Sequence, residues 1–246
     1  MGVAVIGAGK LGRAVQFALS LRGVPAQLHS RSTGFDVLLP DAGAHLGNID
    51  VVVEATDIFT QDPETARDFF VRSTRAVNAA ARAAGASKHI LVSIVNCAKP
   101  ELHGNGYYAG KAEQERVARA ENVNLTIVRS TLWYEFARQN IERLRFGPFA
   151  VVPAMTTQPI ALSAVADVVA DCVVGERCGP GYDVAGPEVT TLWRMTKALP
   201  NKKVLALPVR APGAAGRAFR DGALLPMPDV EVIGPRFVDW LSQEGS

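Results

Sequence analysis

Three glycines fall within six residues of the opening stretch "VAVIGAGKLGRAV", Val3 to Val15. Gly7, Gly9 and Gly12 follow the apolar run Val3, Ala4, Val5, Ile6, which reads as a short buried strand. After Gly12, Ala14, Val15, Ala18, Leu19 and Leu21 take up a helical repeat, so the glycines occupy a strand-to-helix turn. A phosphate-binding loop of the Walker type is excluded: Gly9-Lys10 is followed by Leu11, and Ala4 stands where its first glycine belongs. Gly-x-Gly-x-x-Gly fits in the context that gives it meaning. The first glycine permits the turn, the second lets a pyrophosphate reach the backbone, and the third lets helix and strand close. The free N–H groups of the helix N-terminus then face the phosphates.

The rest of the chain repeats the alternation. "AQLHSRS" (26–32), "GFDV" (34–37), "IDVVVEAT" (49–56), "KHILVSIV" (88–95) and "LTIVRS" (125–130) read as the second to sixth strands. Helical spacing separates the later ones: Phe69, Phe70, Val77, Ala80, Ala81 and Ala84 up to Gly85, then "YYAGKAEQERVARAE" at 107–121. Strands alternating with helices imply an α/β fold, a doubly wound parallel sheet of the Rossmann type. Beyond Arg129, glycine and proline recur; a helix at 162–174 and a late strand at "GYDVAG" stand out. This predicts one domain over 1–246, with a dinucleotide-binding core at 1–131. Shorter late-sheet and pocket elements at 132–246 cover the carboxyl edge of the sheet, where such folds bind ligands.

Composition removes several function classes. With 246 residues, 48% of them hydrophobic, the chain can bury a large core, and a net charge of +2 does not suggest nucleic acid. The densest basic cluster, Arg138 to Arg145, reads as a solvated helix face. Cys97, Cys172 and Cys178 form no CxxC pair and the four histidines lack metal-ligand spacing, so no metal is expected. Sparse, odd cysteine usage suits a reducing cytoplasm. No membrane span and no signal peptide is expected.

The end of the second strand selects the cofactor. A carboxylate there would accept hydrogen bonds from a ribose 2′-hydroxyl; instead the chain reads His29, Ser30, Arg31, Ser32, with no acidic residue before Asp36. A guanidinium flanked by hydroxyls suits a 2′-phosphate, so NADP(H) is expected over NAD(H). Thr56 ends the fourth strand, where small residues let an adenosine lie against the backbone. Tyr107 and Lys111 lie four apart on one helix face. A nearby ammonium would lower the tyrosine pKa and ready it for proton transfer to a carbonyl oxygen. Tyr108 has no lysine four residues on and is assigned to packing. Trp133, Tyr134, Phe136, Phe146 and Phe149 are candidates for an aromatic pocket wall or for the core.

"VIGAGKLG", "LVSIV", "YYAGK" and "LTIVRSTLWYEF", in this order and spacing, resemble the atypical short-chain dehydrogenase/reductases of the NmrA-like, NAD(P)H-binding type. The resemblance extends through "PIALSAVADVV" and "VAGPEVT". It implies cofactor contacts at Gly7, Gly9, Lys10, Leu11, Gly12, Arg31, Thr56 and Lys111, with Ser130 and Thr131 beside the nicotinamide. Two features depart from the family. Its glycine turn is usually one residue longer, and the Ser/Thr pair at the end of the fifth strand is reduced to Ser93-Ile94. Strand alternation leaves Ser93 open to either role, a catalytic hydroxyl or one turned into the sheet. The expected activity is NADPH-dependent reduction of a small carbonyl or conjugated substrate, with Tyr107, Lys111 and Ser93 as the catalytic candidates. The alternatives are an NADP(H)-binding sensor that signals to a protein partner, or an epimerase that keeps its dinucleotide.

Overall fold

The computed structural model describes residues 1–39, 46–60, 62–121, 124–200 and 204–244. The chain opens with β1 (Val3–Ile6), α1 (Lys10–Leu21), β2 (Ala26–His29), β3 (Val51–Glu54), α2 (Pro63–Ala83), β4 (Lys88–Ile94), α3 (Gly106–Glu121) and β5 (Leu125–Ser130). It continues with α4 (Phe136–Arg143), β6 (Arg145–Phe146), β7 (Phe149–Pro153), β8 (Thr156–Thr157), α5 (Leu162–Val174), β9 (Gly181–Ala185), β10 (Thr190–Thr191) and α6 (Leu192–Ala198). Last come β11 (Leu205–Val209), α7 (Gly213–Arg220), β12 (Glu231–Val232) and α8 (Phe237–Glu244).

Among the described residues the main sheet has seven strands in the order β12-β9-β5-β4-β3-β1-β2, every pairing parallel. β1 and β3 are buried at every position, as strands covered on both faces must be. On one face α1 and α5 pack Leu11, Val15, Leu19, Val165 and Val169 against Val5, Val53, Ile90 and Val128. On the other, α2 brings Val77, Ala80 and Ala81 onto Ala4, Ile6 and Val52. Local signals set the helix ends. Asp62 caps α2 by accepting the Thr65 N–H at 2.8 Å, Pro63 takes its first position, and Gly85 closes it with φ +74°.

The expected third strand at 34–37 does not form. Gly34, at φ +87°, ends a short helical turn (Arg31–Thr33) and folds the chain back. Phe35 is then buried against His29 and the Ala4, Ile6, Val52 cluster, while the Asp36 carboxylate accepts the Leu38 N–H at 3.0 Å. Side-on packing buries the apolar residues of this segment without sheet pairing. The sheet therefore ends at β2, and β12 extends its opposite edge.

β1 connects outward to β2, and β3 returns to the other side of β1. The topological switch point thus lies between the carboxyl ends of β1 and β3, where Ile6 pairs with Glu54. The C-terminal elements form the small sheets β10-β8 and β11-β7-β6 and a second core of Tyr134, Val152, Leu192, Phe219, Phe237 and Trp240. That core packs on Cys97, Leu102 and Tyr108 and so covers the β4–α3 connection.

Candidate cofactor and active site

The glycine turn is built by close approaches that admit no side chain. Gly7 has φ +113°, and a Cβ there would lie 2.3 Å from the Ala55 carbonyl oxygen. A Cβ at Gly12 would lie 1.9 Å from the Gly7 carbonyl oxygen. Gly9 differs: a Cβ there meets nothing within 4 Å, so open space stands over the start of α1. Gly9 is the N-cap of α1 and no side chain caps that helix end. Lys10 is exposed there, whereas Leu11 packs into the core. An open cradle under uncapped N–H groups, at the switch point, fits a dinucleotide pyrophosphate.

The end of β2 is tied to this turn, since the Gly7 N–H donates to the His29 carbonyl at 2.8 Å. The next residues hold themselves in shape. The Ser30 and Ser32 hydroxyls are 2.8 Å apart, and the Thr33 hydroxyl accepts the Ser30 N–H at 2.8 Å. Arg31 is exposed on this turn, and Asp36 is occupied locally. Among the described residues, the site beside the glycine turn thus offers a guanidinium and hydroxyls, with Asp36 Oδ1 held by the Leu38 N–H.

Across the crevice, β3 ends in a buried polar network that sequence reading missed. Glu54 is fully buried, and its Oε1 accepts from Thr74 at 2.6 Å, Gln114 at 2.7 Å and Thr56 at 3.1 Å. Burial alone would raise its pKa; His89, Thr74 and the Lys111 charge more than offset this and hold the carboxyl below its ordinary range. Lys111 is also buried. Its ammonium donates to the Val92 carbonyl at 2.8 Å and to Gln114 Oε1, and it lies 5.0 Å from the Phe70 ring centroid. Gly110 makes that placement possible, because a Cβ there would lie 2.6 Å from Phe70 Cδ2. Burial lowers the Lys111 pKa, opposed by the carboxylates of Asp57 and Glu54.

Tyr107 shares the face of α3 with Lys111, as the spacing requires, but the expected effect of the lysine is absent. The ammonium is turned inward to Val92 and Gln114, and the charge that bears most on the Tyr107 hydroxyl is that of Asp57. Burial first, then the Asp57 charge, push the Tyr107 pKa well above its ordinary value. Asp57 stands in the loop after β3, reached by water and crowded by protein on its other sides. That crowding raises its pKa against the pull of Lys111, Tyr107 and Arg143. Arg143, from α4, lies 4.2 Å from the ring centroid of the exposed Phe59 and completes this wall.

The other candidates are already engaged. Ser93 is buried, with its hydroxyl 3.8 Å from the Cys97 sulfur, and that thiol donates to Glu115 Oε1 at 3.4 Å. Glu115 is in turn held by Arg129 at 2.6 Å. Ser130 accepts the Trp133 indole N–H at 2.8 Å, and the Thr131 hydroxyl donates to the Gln158 carbonyl at 2.6 Å. The Thr56 hydroxyl belongs to the Glu54 network, and its backbone nitrogen adjoins Gly7. Tyr134 is core, packed on Phe237 and Trp240, and Tyr108 packs on Phe219. A surface depression of about 490 Å³ lined by Leu144, Arg145, Phe146, Val151, Pro153 and Val209 includes none of the motif residues.

No protein-family model matches the sequence, and no curated protein matches it. Solved structures do resemble it in shape. The NADPH-dependent quinone oxidoreductase of Escherichia coli, complexed with NADPH, superposes with a TM-score of 0.70 at 16% identity, covering 99% of this chain and 100% of that one. Triphenylmethane reductase of Citrobacter sp., complexed with NADP(H), gives 0.66 at 16% identity and 99% coverage of each chain. UDP-N-acetylglucosamine 4-epimerase of Bacillus cereus gives 0.70 at 15%, covering 99% of this chain and 94% of that one. The fold is Rossmann-type. Reductases and an epimerase share it, so the chemistry must be argued from the site. Among the described residues no group of side chains could hold a metal, and no helix is long and apolar enough to cross a membrane.

Proposed function

We propose that the chain is an NADP(H)-dependent oxidoreductase of a small carbonyl or conjugated substrate. The observation that carries this reading is the open cradle over Gly9 at the switch point, with exposed Arg31 beside it. When bound, the dinucleotide supplies the hydride. The N–H groups opening α1 hold its pyrophosphate, and Arg31 with Ser30 and Ser32 takes the 2′-phosphate. Lys111, buried on α3, donates to the Val92 carbonyl and to Gln114 Oε1 and supplies positive charge there. Tyr107 gives the proton to the substrate oxygen. Support also comes from the neighbouring quinone oxidoreductase and triphenylmethane reductase, which are complexed with NADPH and NADP(H). The sparse cysteines, all free, suit a cytoplasmic setting.

Calorimetric titration with NADPH and NADH tests the reading. NADPH is expected to bind about tenfold more tightly or better, and failure of both to bind overturns it. One observation favours a second reading, a redox sensor that signals to a protein partner: Ser93 is buried with its hydroxyl against the Cys97 sulfur, so a second hydroxyl does not accompany Tyr107. Tight NADPH binding with no turnover across aldehydes, ketones, quinones and enones would select the sensor.

A further inference from the structure

Gln114 lies between two buried groups of opposite charge, Glu54 on β3 and Lys111 on α3, and bonds to both. All three side chains are closed to water, Gln114 and Glu54 entirely. The Gln114 Nε2 donates to Glu54 Oε1 at 2.7 Å and to the Thr56 hydroxyl at 3.2 Å, while its Oε1 accepts from the Lys111 ammonium. This orientation is forced. A carboxylate only accepts and an ammonium only donates, and a neutral amide answers both at once. The Val92 carbonyl fixes Lys111 from a second side at 2.8 Å, so the ammonium stands beside β4 rather than in a direct ion pair with Glu54. We propose that Gln114 is a positioning residue for Lys111, holding the ammonium at Val92 while linking it to the Glu54 carboxylate through a single amide. Its bearing on the site rests on the oxidoreductase reading above.

Burial works against the Lys111 charge, and four groups favour it: Asp57 after β3, Glu54 on β3, Cys97 after β4 and Glu115 on α3. From α2 the Phe70 ring faces it, with the centroid 5.0 Å away. Glu54 is the one that reaches the ammonium through a chain of hydrogen bonds, by way of Gln114. The same amide donates to Thr56, whose backbone nitrogen adjoins Gly7 of the glycine turn. Gln114 thus couples the place and charge of the ammonium to the strand end that borders the cofactor cradle. The effect is electrostatic and steric, and no bond is made or broken at Gln114. A methionine in its place would fill the volume but offer neither the donor nor the oxygen.

The test follows the Lys111 amine by NMR in protein carrying isotope-labelled lysine, without dinucleotide, and Lys111→Arg identifies its resonance. Gln114→Met removes the oxygen that faces the ammonium, so Lys111 is expected to titrate lower by about one pH unit or more. Gln114→Glu sets a carboxylate there and is expected to move the titration up by about as much. Glu54→Gln keeps an oxygen for the existing hydrogen bonds, removes only the charge, and also moves the titration down. NADPH calorimetry across pH then reads the site. Affinity is expected to fall as pH rises through the Lys111 titration, because a positive charge is lost. That fall begins at lower pH in Gln114→Met and at higher pH in Gln114→Glu. A Lys111 titration unmoved in both Gln114 variants reduces Gln114 to packing and overturns the positioning role. Should those variants not fold, an unmoved titration in Glu54→Gln overturns it equally. A shifted titration that NADPH affinity does not follow overturns its bearing on the site, whereas no NADPH binding by the unmodified protein overturns the oxidoreductase reading itself.

Discussion

His89 Nε2 stands 3.1 Å from Glu54 Oε2, a diagonal pair across β3 and β4 with both side chains closed to water. Glu54 carries three further hydrogen bonds on its other oxygen, which is what a buried carboxylate needs to remain charged. Its folded pKa lies below the value of about 4.3 in the unfolded chain. As pH falls from about 4.3 through the lower folded value, the unfolded chain takes up the proton first and stability is lost. Glu54→Gln should cost about 1–3 kcal/mol near neutral pH and flatten this acid limb. Urea unfolding at a series of pH values measures both effects. An acid limb kept at full slope in Glu54→Gln would assign it to other carboxylates.

The glycine turn was legible in the sequence because its constraints are local: Gly7, Gly9 and Gly12 act within six residues, between a strand and a helix that announce themselves. That Tyr107 and Lys111 both fall on α3, one helical turn apart, was legible for the same reason. What surrounds them was not. Glu54, Thr74, His89 and Gln114 meet only when β3, α2, β4 and α3 stack, and no spacing in the chain encodes that. Asp57 did leave a trace, a carboxylate just past the end of a core strand at the ligand-binding edge of the sheet. The segment 34–37 misled because burial of Phe35 satisfies the same apolar pattern that a strand would.

The three glycines should separate on substitution. Gly12→Ala sets a methyl 1.9 Å from the Gly7 carbonyl oxygen, a backbone atom that cannot yield without opening the β1–α1 turn. A loss of about 1–3 kcal/mol in unfolding free energy is expected. Gly9→Ala meets no atom of the protein and should change stability by no more than about 0.5 kcal/mol. Its methyl projects into the space assigned to the pyrophosphate, so NADPH affinity should fall by about tenfold or more. Undiminished NADPH binding in a well-folded Gly9→Ala protein would remove the pyrophosphate from this cradle.

Arg31 should carry the cofactor preference. It is exposed beside the glycine turn, with its neighbours Ser30, Ser32 and Thr33 holding one another rather than the guanidinium. Arg31→Ala should therefore fold normally and bind NADH nearly as the parent does. Its NADPH affinity should fall by about tenfold, or about 1.4 kcal/mol, bringing the two cofactors close together. Comparative calorimetry decides, and a preference for NADPH that survives Arg31→Ala would move the 2′-phosphate to another basic side chain.

Tyr107 decides between enzyme and sensor, because its ring and its hydroxyl serve different ends. The ring packs edge-on to Phe70 and Tyr108, at 6.0 and 5.8 Å between centroids, and these contacts survive in Tyr107→Phe. Only the hydroxyl is lost. NADPH affinity should therefore stay within a few-fold of the parent, while turnover falls by on the order of 10²–10⁴, the contribution of a positioned general acid. Lys111→Ala should behave differently. It strands the Val92 carbonyl and Gln114 Oε1 in a closed interior, so stability and cofactor binding fall together with turnover. If turnover is instead unchanged in Tyr107→Phe, the proton comes from another group, and Tyr107 belongs to the packing of α3 on Phe70 and Tyr108 rather than to the chemistry.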